Sequence, residues 1–289
     1  MNVVIMSRPM RSILFSALTL GALASVCLAQ DRANPPTQPF EIPAVAQAPG
    51  CPPEGWCGEA SLQMIFMYYG AYIPQKIINA AGHPEHPDLW SNNLGPAMQN
   101  LGFKWSDFST GDTDEYIRKL RASLADGVPV LMGVNVYSNG NGGAHFCVAA
   151  KSDDTALTIN TTWAMRGDIY TWARLHTKAG GITLADAFQA LAIPAPDLLA
   201  KHRLRLYPVD PAKFYEKRCK LRIAASNLIK GAKYQIRSYP SMQSADVNRG
   251  AGELVDEFTA ASPEYTKDVE VDRDAETVFV MTRSHATGS

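Results

Sequence analysis

The chain has 289 residues and is nearly neutral, with 27 Lys and Arg residues against 28 Asp and Glu residues. This balance lacks the positive excess with which proteins bind nucleic acid or anionic membrane surfaces, so it excludes those partners. An apolar content of 46% is enough for one full hydrophobic core and a smaller second unit.

The first 29 residues have the features of a secretory signal peptide. Two arginines precede an apolar run over 13–23, and the small residue Ala29 ends the segment. The run is too short for a membrane span, and a polar, proline-rich lead-in over 30–41 follows it. We expect cleavage near Ala29 and a secreted or periplasmic mature chain with a formal charge of −3 and no transmembrane span. A retained amino-terminal anchor is the alternative, and lipidation at Cys27 is a weaker one.

A cysteine begins the most apolar segment of the mature chain, Cys57 to Gly70. The two prolines just upstream disfavour a helix there, and Gly70 favours a helix end. Because no residue over 63–69 is charged, the segment is predicted to be a helix buried on every side. In its first turn, free backbone N–H groups and the helix dipole favour the thiolate of Cys57, and Glu59 opposes this mildly. A buried cysteine that only packs as a small apolar residue is the alternative.

The predicted elements that follow this helix have less regular sequence patterns, but turn and capping residues mark their ends. Acidic residues start the third of the predicted helices, and Gly127 ends it. A β-like segment and a glycine-rich loop over 138–143 follow, and helices before strands indicate an α+β domain. The predicted elements are helices over 75–81, 94–101 and 113–126, and a strand over 128–137.

Two β-like segments, 144–150 and 155–160, are predicted to pair as a hairpin. If Ala150 pairs with Thr155, His145 lies directly across from Asn160, and residues that face each other share one side of the sheet. This register places His145, Cys147, Thr158 and Asn160 on a polar face and Phe146, Val148, Leu157 and Ile159 on an apolar face.

A cysteine, a histidine and an amide are the parts of a cysteine-nucleophile site. His145 would take the proton of Cys57, and Asn160 would accept a hydrogen bond from the other ring nitrogen and so fix the tautomer. The alternatives are a satisfied histidine at a strand end and an asparagine in a turn.

Taken in chain order, the motifs around Cys57, His145 and Asn160 resemble those of the peptidase C39-like branch of the papain-like cysteine peptidases over about 42–177. This resemblance implies a papain-like α+β catalytic domain over 42–180 and an exported peptidase that acts through a thioester acyl-enzyme. Cys57 is then the nucleophile, His145 the base and acid, and Asn160 the orienting residue, with no metal or cofactor. The motifs that carry it are Trp56 to Ser61, Tyr68 to Gly70, Gly127 to Val130, Gly142 to Phe146, and Asp153 to Asn160.

The chain departs from the family pattern around the oxyanion hole. Papain-like enzymes have glutamine six residues before the nucleophile, where this chain has Cys51. Gln47 would serve if 50–54 bulges outward, with the backbone N–H of Cys57 as the second donor. At the position of the third catalytic residue, here Asn160, this branch more often has aspartate followed by proline, whereas papain has asparagine.

Two other functions stay open. The same triad is suited to an amidase or acyl-transferase that acts on cell-wall peptides, because a fold does not fix its substrate. The departure at Cys51 leaves room for a catalytically inactive papain-like binding protein, which a disulfide between Cys51 and Cys57 would favour.

Two segments outside these motifs are predicted to be structural. The prolines of 83–88 prevent a single helical face, and its histidines match no common zinc spacing, so a surface loop near the cleft and no metal are expected. The aromatic-rich segment 163–179 is expected to pack in the core, with the border of the cleft as the alternative.

The carboxyl-terminal part is predicted to be a connector and an all-β module. Helical segments are expected over 182–192 and 196–201 within the connector 181–216, and a small β-sandwich is expected over 217–284. Residues 227–238 resemble fibronectin-like modules of secreted bacterial proteins, which implies contact with a surface, a glycan or the chain itself. The strands are predicted at 219–224, 233–237, 253–259, 265–271 and 277–282.

Overall fold

One buried helix, α1 (Cys57–Tyr68), lies at the centre of the structure. It is buried from Gly58 to Tyr68, as the lack of charge over 63–69 predicts, and Glu59 in its first turn is buried as well. Gly70 follows it with a φ of 87°, a left-handed conformation that glycine adopts without steric cost. The predicted signal peptide and lead-in lie outside the described residues. A computed structural model describes residues 42–52, 55–138, 141–178, 181–184, 189–200, 204–248 and 250–284.

The other helices of the first half form close to their predicted positions. The third begins where the Asp112 carboxylate accepts the backbone N–H groups of Asp114 and Glu115, which are unpaired at a helix start. Within the described ranges, no helix has both the length and the apolar character to span a bilayer. These helices are α2 (Gln75–Gly82), α3 (Ser91–Asn100) and α4 (Thr113–Ala125).

An antiparallel sheet lies between α1 and α4. Its order is β2-β8-β3-β4-β5-β6, and β7 also pairs with β3. Helix α1 contacts β4, and α4 contacts the same strand. Phe146 and Val148 belong to the hydrophobic cluster of α1, whereas Cys147 and Ala149 belong to the cluster of α4. The strands are β2 (Ser106–Asp107), β3 (Val130–Ser138), β4 (Asn141–Ser152), β5 (Ala156–Asn160), β6 (Gly167–Thr171), β7 (Gly181–Thr183) and β8 (Gln189–Ala192).

The β4–β5 hairpin forms, but its predicted register is wrong. Asn160 lies opposite Val148 and not opposite His145. The ladder shifts at Ala150, where one extra residue in β4 forms a bulge. Because side chains alternate between the faces, such a shift changes which residues share a side. Leu157 and Ile159 therefore lie in the cluster of Cys147, and the predicted polar face does not form.

The predicted helical connector over 181–216 is wrong in most of its secondary structure. Strands β7 and β8 lie there, and β8 pairs Leu191 with Leu131 on an edge of β3. Pairing with this edge overrides the helix propensity of an alanine-rich segment. The helical part expected near 196–201 is confirmed as a short helix, α6. The remaining short elements are α5 (Trp172–Leu175), α6 (Asp197–Ala200) and β9 (Leu204–Pro208).

The five predicted carboxyl-terminal strands are confirmed, and they form two sheets. Their orders are β1-β14-β11-β12 and β13-β10-β9. Strand β1 (Ala71–Tyr72) follows α1 directly, and Ala71 pairs with Val278. The cluster around α1 also includes residues of both sheets, so the core continues past 180 and 216; these domain boundaries and the β-sandwich stay predictions. The elements are β10 (Arg218–Ala225), β11 (Lys233–Tyr239), α7 (Met242–Val247), β12 (Glu253–Thr259), β13 (Tyr265–Asp272) and β14 (Thr277–Arg283).

Candidate active site

The thiol of Cys57 lies where the first turn of α1 meets strand β4. Cys57 is the first residue of the helix, and its side chain is half-buried. Its Sγ accepts a hydrogen bond from the backbone N–H of Phe146 at 3.4 Å. Since Phe146 directly follows His145, the fold brings the predicted nucleophile to the part of β4 that carries the predicted base.

His145 is buried and held by the turn that follows β5. Its Nε2 lies 2.7 Å from the carbonyl oxygen of Thr161, and its ring stacks on Trp163 with centroids 4.7 Å apart. A carbonyl oxygen only accepts, so this contact assigns the proton to Nε2 and leaves Nδ1 as the basic nitrogen. Trp163 is 44% exposed, so it borders the site, which was the alternative to core packing.

The structure places Asn160 away from its predicted role. Its Nδ2 donates to the carbonyl oxygens of Ile42 and Pro43, each at 3.2 Å. Among the described residues, the Thr161 carbonyl and not the Asn160 amide is the close partner of the His145 ring. The cause is that the β4–β5 turn begins two residues later than predicted, because Leu157 pairs with Ser152, and this shift moves Asn160 away from the position opposite His145. Asn160 instead anchors the segment that leads to Gln47.

Gln47 reaches the start of α1, as the predicted bulge requires. Its Oε1 accepts the backbone N–H of Trp56 at 2.7 Å, and its Nε2 donates to Thr162 Oγ1 at 3.3 Å. A turn closed by the Cys51 N–H on the Ala48 carbonyl takes up the intervening residues. The approach is close at Gly55, where an added Cβ would lie 2.6 Å from Gln47 Oε1. A side-chain amide carries two N–H bonds, so Nε2 retains one beyond its bond to Thr162.

The backbone on both sides of Gln47 is fixed by partly buried hydrogen bonds. Gln75 of α2 donates its Nε2 to the Ala46 carbonyl at 2.9 Å and accepts the Ala48 N–H at 2.8 Å. The hydroxyl of Tyr215 donates to the same Ala46 carbonyl. The amide of Gln47 is therefore held in place beside α1.

Comparisons with known proteins add little to this geometry. No protein-family model matches the chain, and no curated protein matches its sequence. Among solved structures, the chain is similar to the peptidase domain of Streptococcus ComA, a bi-functional ABC transporter involved in a quorum-sensing pathway. The match covers 53% of this chain and 98% of that domain, with 15% identity and a TM-score of 0.41. So low a score assigns no role to any residue, and the chemistry rests on the contacts of this chain.

The charge state of the two central groups differs from the expected thiolate. Burial raises the pKa of the Cys57 thiol to about 11, against the bond from the Phe146 N–H, and the nearby carboxyl groups of Glu59 and Asp88 raise it further. Burial also lowers the pKa of His145 to about 4, although the Thr161 carbonyl favours the charged ring. The effect of desolvation on the pKa of Cys57 thus outweighs the preference of the helix start for the thiolate. The resting pair at neutral pH is a thiol and a neutral imidazole.

The predicted surface loop over 83–88 lies beside the start of α1. The Trp56 indole N–H donates to the Pro87 carbonyl at 2.8 Å. Glu59, fully buried, accepts the Leu89 N–H at 2.9 Å and an amide N–H of Asn79 at 2.7 Å. Glu59 therefore fixes the loop that carries Asp88, a nearby acidic residue absent from the candidates chosen on sequence.

Three consecutive residues after β5 that contact His145 also lay outside those candidates. Thr161 uses its backbone carbonyl, Thr162 places its hydroxyl 3.4 Å from Nε2, and Trp163 stacks on the ring. A backbone contact leaves no trace in the residue type. The pairing of β5 with β4 ends at Asn160 opposite Val148, so Trp163 lies in the turn beyond the ladder and strand alternation does not predict its position.

These pKa shifts predict that stability falls at both ends of the pH range. The unfolded histidine titrates near 6.5 and the folded one near 4, so the unfolded state binds the extra proton between them, and stability falls by about 3 kcal/mol as pH drops from about 6.5 to 4. The folded thiol keeps its proton to a pKa of about 11, so stability falls by about 2 to 3 kcal/mol as pH rises from about 9 to 11.

Urea unfolding from pH 4 to 11 measures the free energy of unfolding at both ends of this range, with His145→Gln and Cys57→Ala as the paired variants. His145→Gln should reduce only the loss of stability at acid pH, the acid limb, and Cys57→Ala only the loss at alkaline pH, since other groups titrate equally in all three proteins. An acid limb with the same slope in the wild type and His145→Gln would contradict the assignment.

Proposed function

We propose that this chain is a cysteine hydrolase that cleaves peptide or amide bonds through a thioester acyl-enzyme. The observation that carries the proposal is the hydrogen bond from the Phe146 N–H to Cys57 Sγ, which places the thiol beside the strand that carries His145. The amide of Gln47 supports it, because its Oε1 accepts the backbone N–H of Trp56 at the same helix start and its Nε2 would donate to an oxyanion there.

The proposed reaction starts from the neutral pair. Nδ1 of His145 takes the thiol proton as Sγ of Cys57 attacks the carbonyl carbon, and the carbonyl oxygen becomes an oxyanion. The backbone N–H of Cys57 and the free N–H of Gln47 Nε2 donate to that oxyanion. The imidazolium then gives its proton to the leaving amine, which leaves a thioester. Water, deprotonated by the same nitrogen, releases the acid and restores the thiol.

The orienting role in this reaction belongs to the carbonyl of Thr161. It accepts the Nε2–H of His145 in the neutral ring and in the imidazolium, so Nδ1 faces the proton transfer throughout. A carbonyl dipole also stabilises the positive charge that the ring gains when the thiol is deprotonated. In this proposal Asn160 holds the backbone leading to Gln47 and takes no part in proton transfer.

A catalytically inactive binding protein is the second candidate, favoured by the raised pKa of the Cys57 thiol. The disulfide that would also have favoured it is not formed, because Cys51 and Cys57 are both free thiols. An amidase or acyl-transferase on cell-wall peptides would use the same residues as the peptidase.

The test is turnover of chemically diverse amides by the chain from residue 30 onward. Protein digests and soluble peptidoglycan fragments serve as substrates, and mass spectrometry detects new amino termini or transferred acyl groups. We expect new amino termini, together with an acyl adduct on Cys57 in quenched samples. Absence of any product and of any adduct over both substrate sets would establish the binding protein instead.

Gln47→Ala is expected to lower kcat by about 10²- to 10³-fold with a small change in KM, because the lost donor contacts the oxyanion and not the ground state. Steady-state kinetics on the best substrate measure this. Gln235→Ala, on the exposed surface of β11, is the matched control and should keep wild-type activity. An unchanged kcat in Gln47→Ala would remove Gln47 from the oxyanion hole.

We further propose export through the signal peptide over 1–29, on the strength of its sequence features. The carboxyl-terminal strands are proposed to form a β-sandwich that contacts a surface, a glycan or the rest of the chain.

A further inference from the structure

Thr162 lies between the two side chains that the proposed reaction needs. It is fully buried, and its Oγ1 is 3.4 Å from His145 Nε2 and 3.3 Å from Gln47 Nε2. Its carbonyl oxygen accepts the backbone N–H of Gln47 at 2.9 Å. One residue of the turn after β5 therefore contacts both the base and the oxyanion donor.

The hydroxyl can satisfy both neighbours at once. The Nε2–H of His145 points to the Thr161 carbonyl at 2.7 Å, with Thr162 Oγ1 as a second and longer acceptor. Gln47 donates its Nε2–H to the same oxygen. A hydroxyl oxygen has two lone pairs, so it accepts from both donors without competition.

The backbone of Thr162 has a conformation that is strained for threonine, and the turn itself does not require a threonine at this position. Its φ is +68°, in the left-handed region that β-branched residues rarely occupy. Glycine would adopt this conformation more easily. What threonine supplies, and glycine lacks, is the hydroxyl that His145 and Gln47 contact. Such strained residues persist where the surrounding structure over-determines them, and they cluster at active sites.

We propose that Thr162 is a positioning residue whose hydroxyl holds His145 and Gln47 in one arrangement, and that it takes over part of the role predicted for Asn160. The inference rests on the proposed function, because that function gives both partners their roles. Thr162 is fully buried and acts through other residues, so it governs how the base and the donor are aligned, and not how tightly substrate binds.

The kinetic test removes the hydroxyl and keeps the shape. Thr162→Val should lower kcat by about 10- to 100-fold with KM within about twofold, and Thr162→Ser should restore kcat to within about threefold of the wild type. Thr183→Val is the matched control, since Thr183 is also fully buried and donates its hydroxyl to the Leu175 carbonyl at 2.8 Å. In a Gln47→Ala background the effect of Thr162→Val should shrink, because part of it acts through Gln47. Thr162→Ala replaces the valine variant if the latter does not fold.

A second readout is independent of turnover. The ¹H and ¹⁵N resonances of the His145 ring report the Nε2–H and its acceptors in the resting protein, and they should shift in Thr162→Val but not in Thr183→Val. Absence of turnover in the wild type together with this selective shift would overturn the proposed function and leave the positioning role intact. Unchanged ring resonances, or a serine variant as impaired as the valine variant, would overturn the positioning role itself.

Discussion

Replacement of Cys57 by alanine is expected to lower hydrolysis by at least about 10⁴-fold, to the level of the uncatalysed reaction plus any contribution of the oxyanion donors. The thiol forms the covalent bond in the proposed reaction. Truncation of one half-buried sulfur at a helix start should leave the fold intact. Steady-state turnover and circular dichroism of the purified variant measure both expectations.

Cys51→Ala is the control for this experiment. Cys51 is a second half-buried free thiol six residues earlier, and its removal deletes a thiol and its long 3.8 Å contact with Gln47 Oε1 but keeps the proposed nucleophile. Its activity should stay within about threefold of the wild type. Equal activity of Cys57→Ala and the wild type would show that any hydrolysis arises elsewhere in the chain.

The sequence predicts α1 and its cysteine well because the signals are local. Prolines just upstream, no charge over 63–69 and Gly70 at the end together predict a buried helix without reference to the rest of the fold. The sequence predicts the carboxyl-terminal strands equally well, since each is a short β-like segment between turns. It does not predict the structure of the connector, because β7 and β8 are strands only through their pairing with the edge of β3.

Within the site, the residues that were found are those whose chemistry lies in the side chain. Gln47 contacts the residue before α1, and His145 directly precedes the residue whose N–H contacts Cys57 Sγ, while their catalytic roles stay predictions. The role predicted for Asn160 was wrong because the hairpin turn lies two residues later than predicted, with Leu157 opposite Ser152. The extra residue at Ala150 then changes which side chains share a face, and the residue types predict neither feature.

The charge state of the thiol was missed for a different physical reason. A helix start favours the thiolate by a local dipole, which the sequence reveals. The opposing cost of desolvation depends on how tightly the site is packed, which only the three-dimensional structure reveals. Here burial wins, and Asp88 on the neighbouring loop adds to it.

His145→Ala should therefore lower kcat/KM by an amount that depends on pH. With a pKa of about 11, only about 10⁻⁴ of the Cys57 thiol is ionised at pH 7, so loss of the base should lower kcat/KM by about 10³- to 10⁴-fold there. The rate of the variant should then rise about tenfold per pH unit toward pH 11, as the thiolate forms without help. The wild type should stay nearly flat between the pKa of His145, about 4, and that of Cys57.

Two measurements separate this mechanism from a preformed ion pair. Alkylation of Cys57 by iodoacetamide reports the thiolate directly, and it should follow a pKa near 11 in both the wild type and His145→Ala, while turnover differs between them. His176→Ala, a partly exposed histidine near Asp114, is the control and should match the wild type in both assays. If Cys57 instead alkylates with a pKa well below the ordinary thiol value of about 8.5, and this is lost in His145→Ala, the resting site is a thiolate and imidazolium. General-base attack would then give way to direct attack by the preformed thiolate.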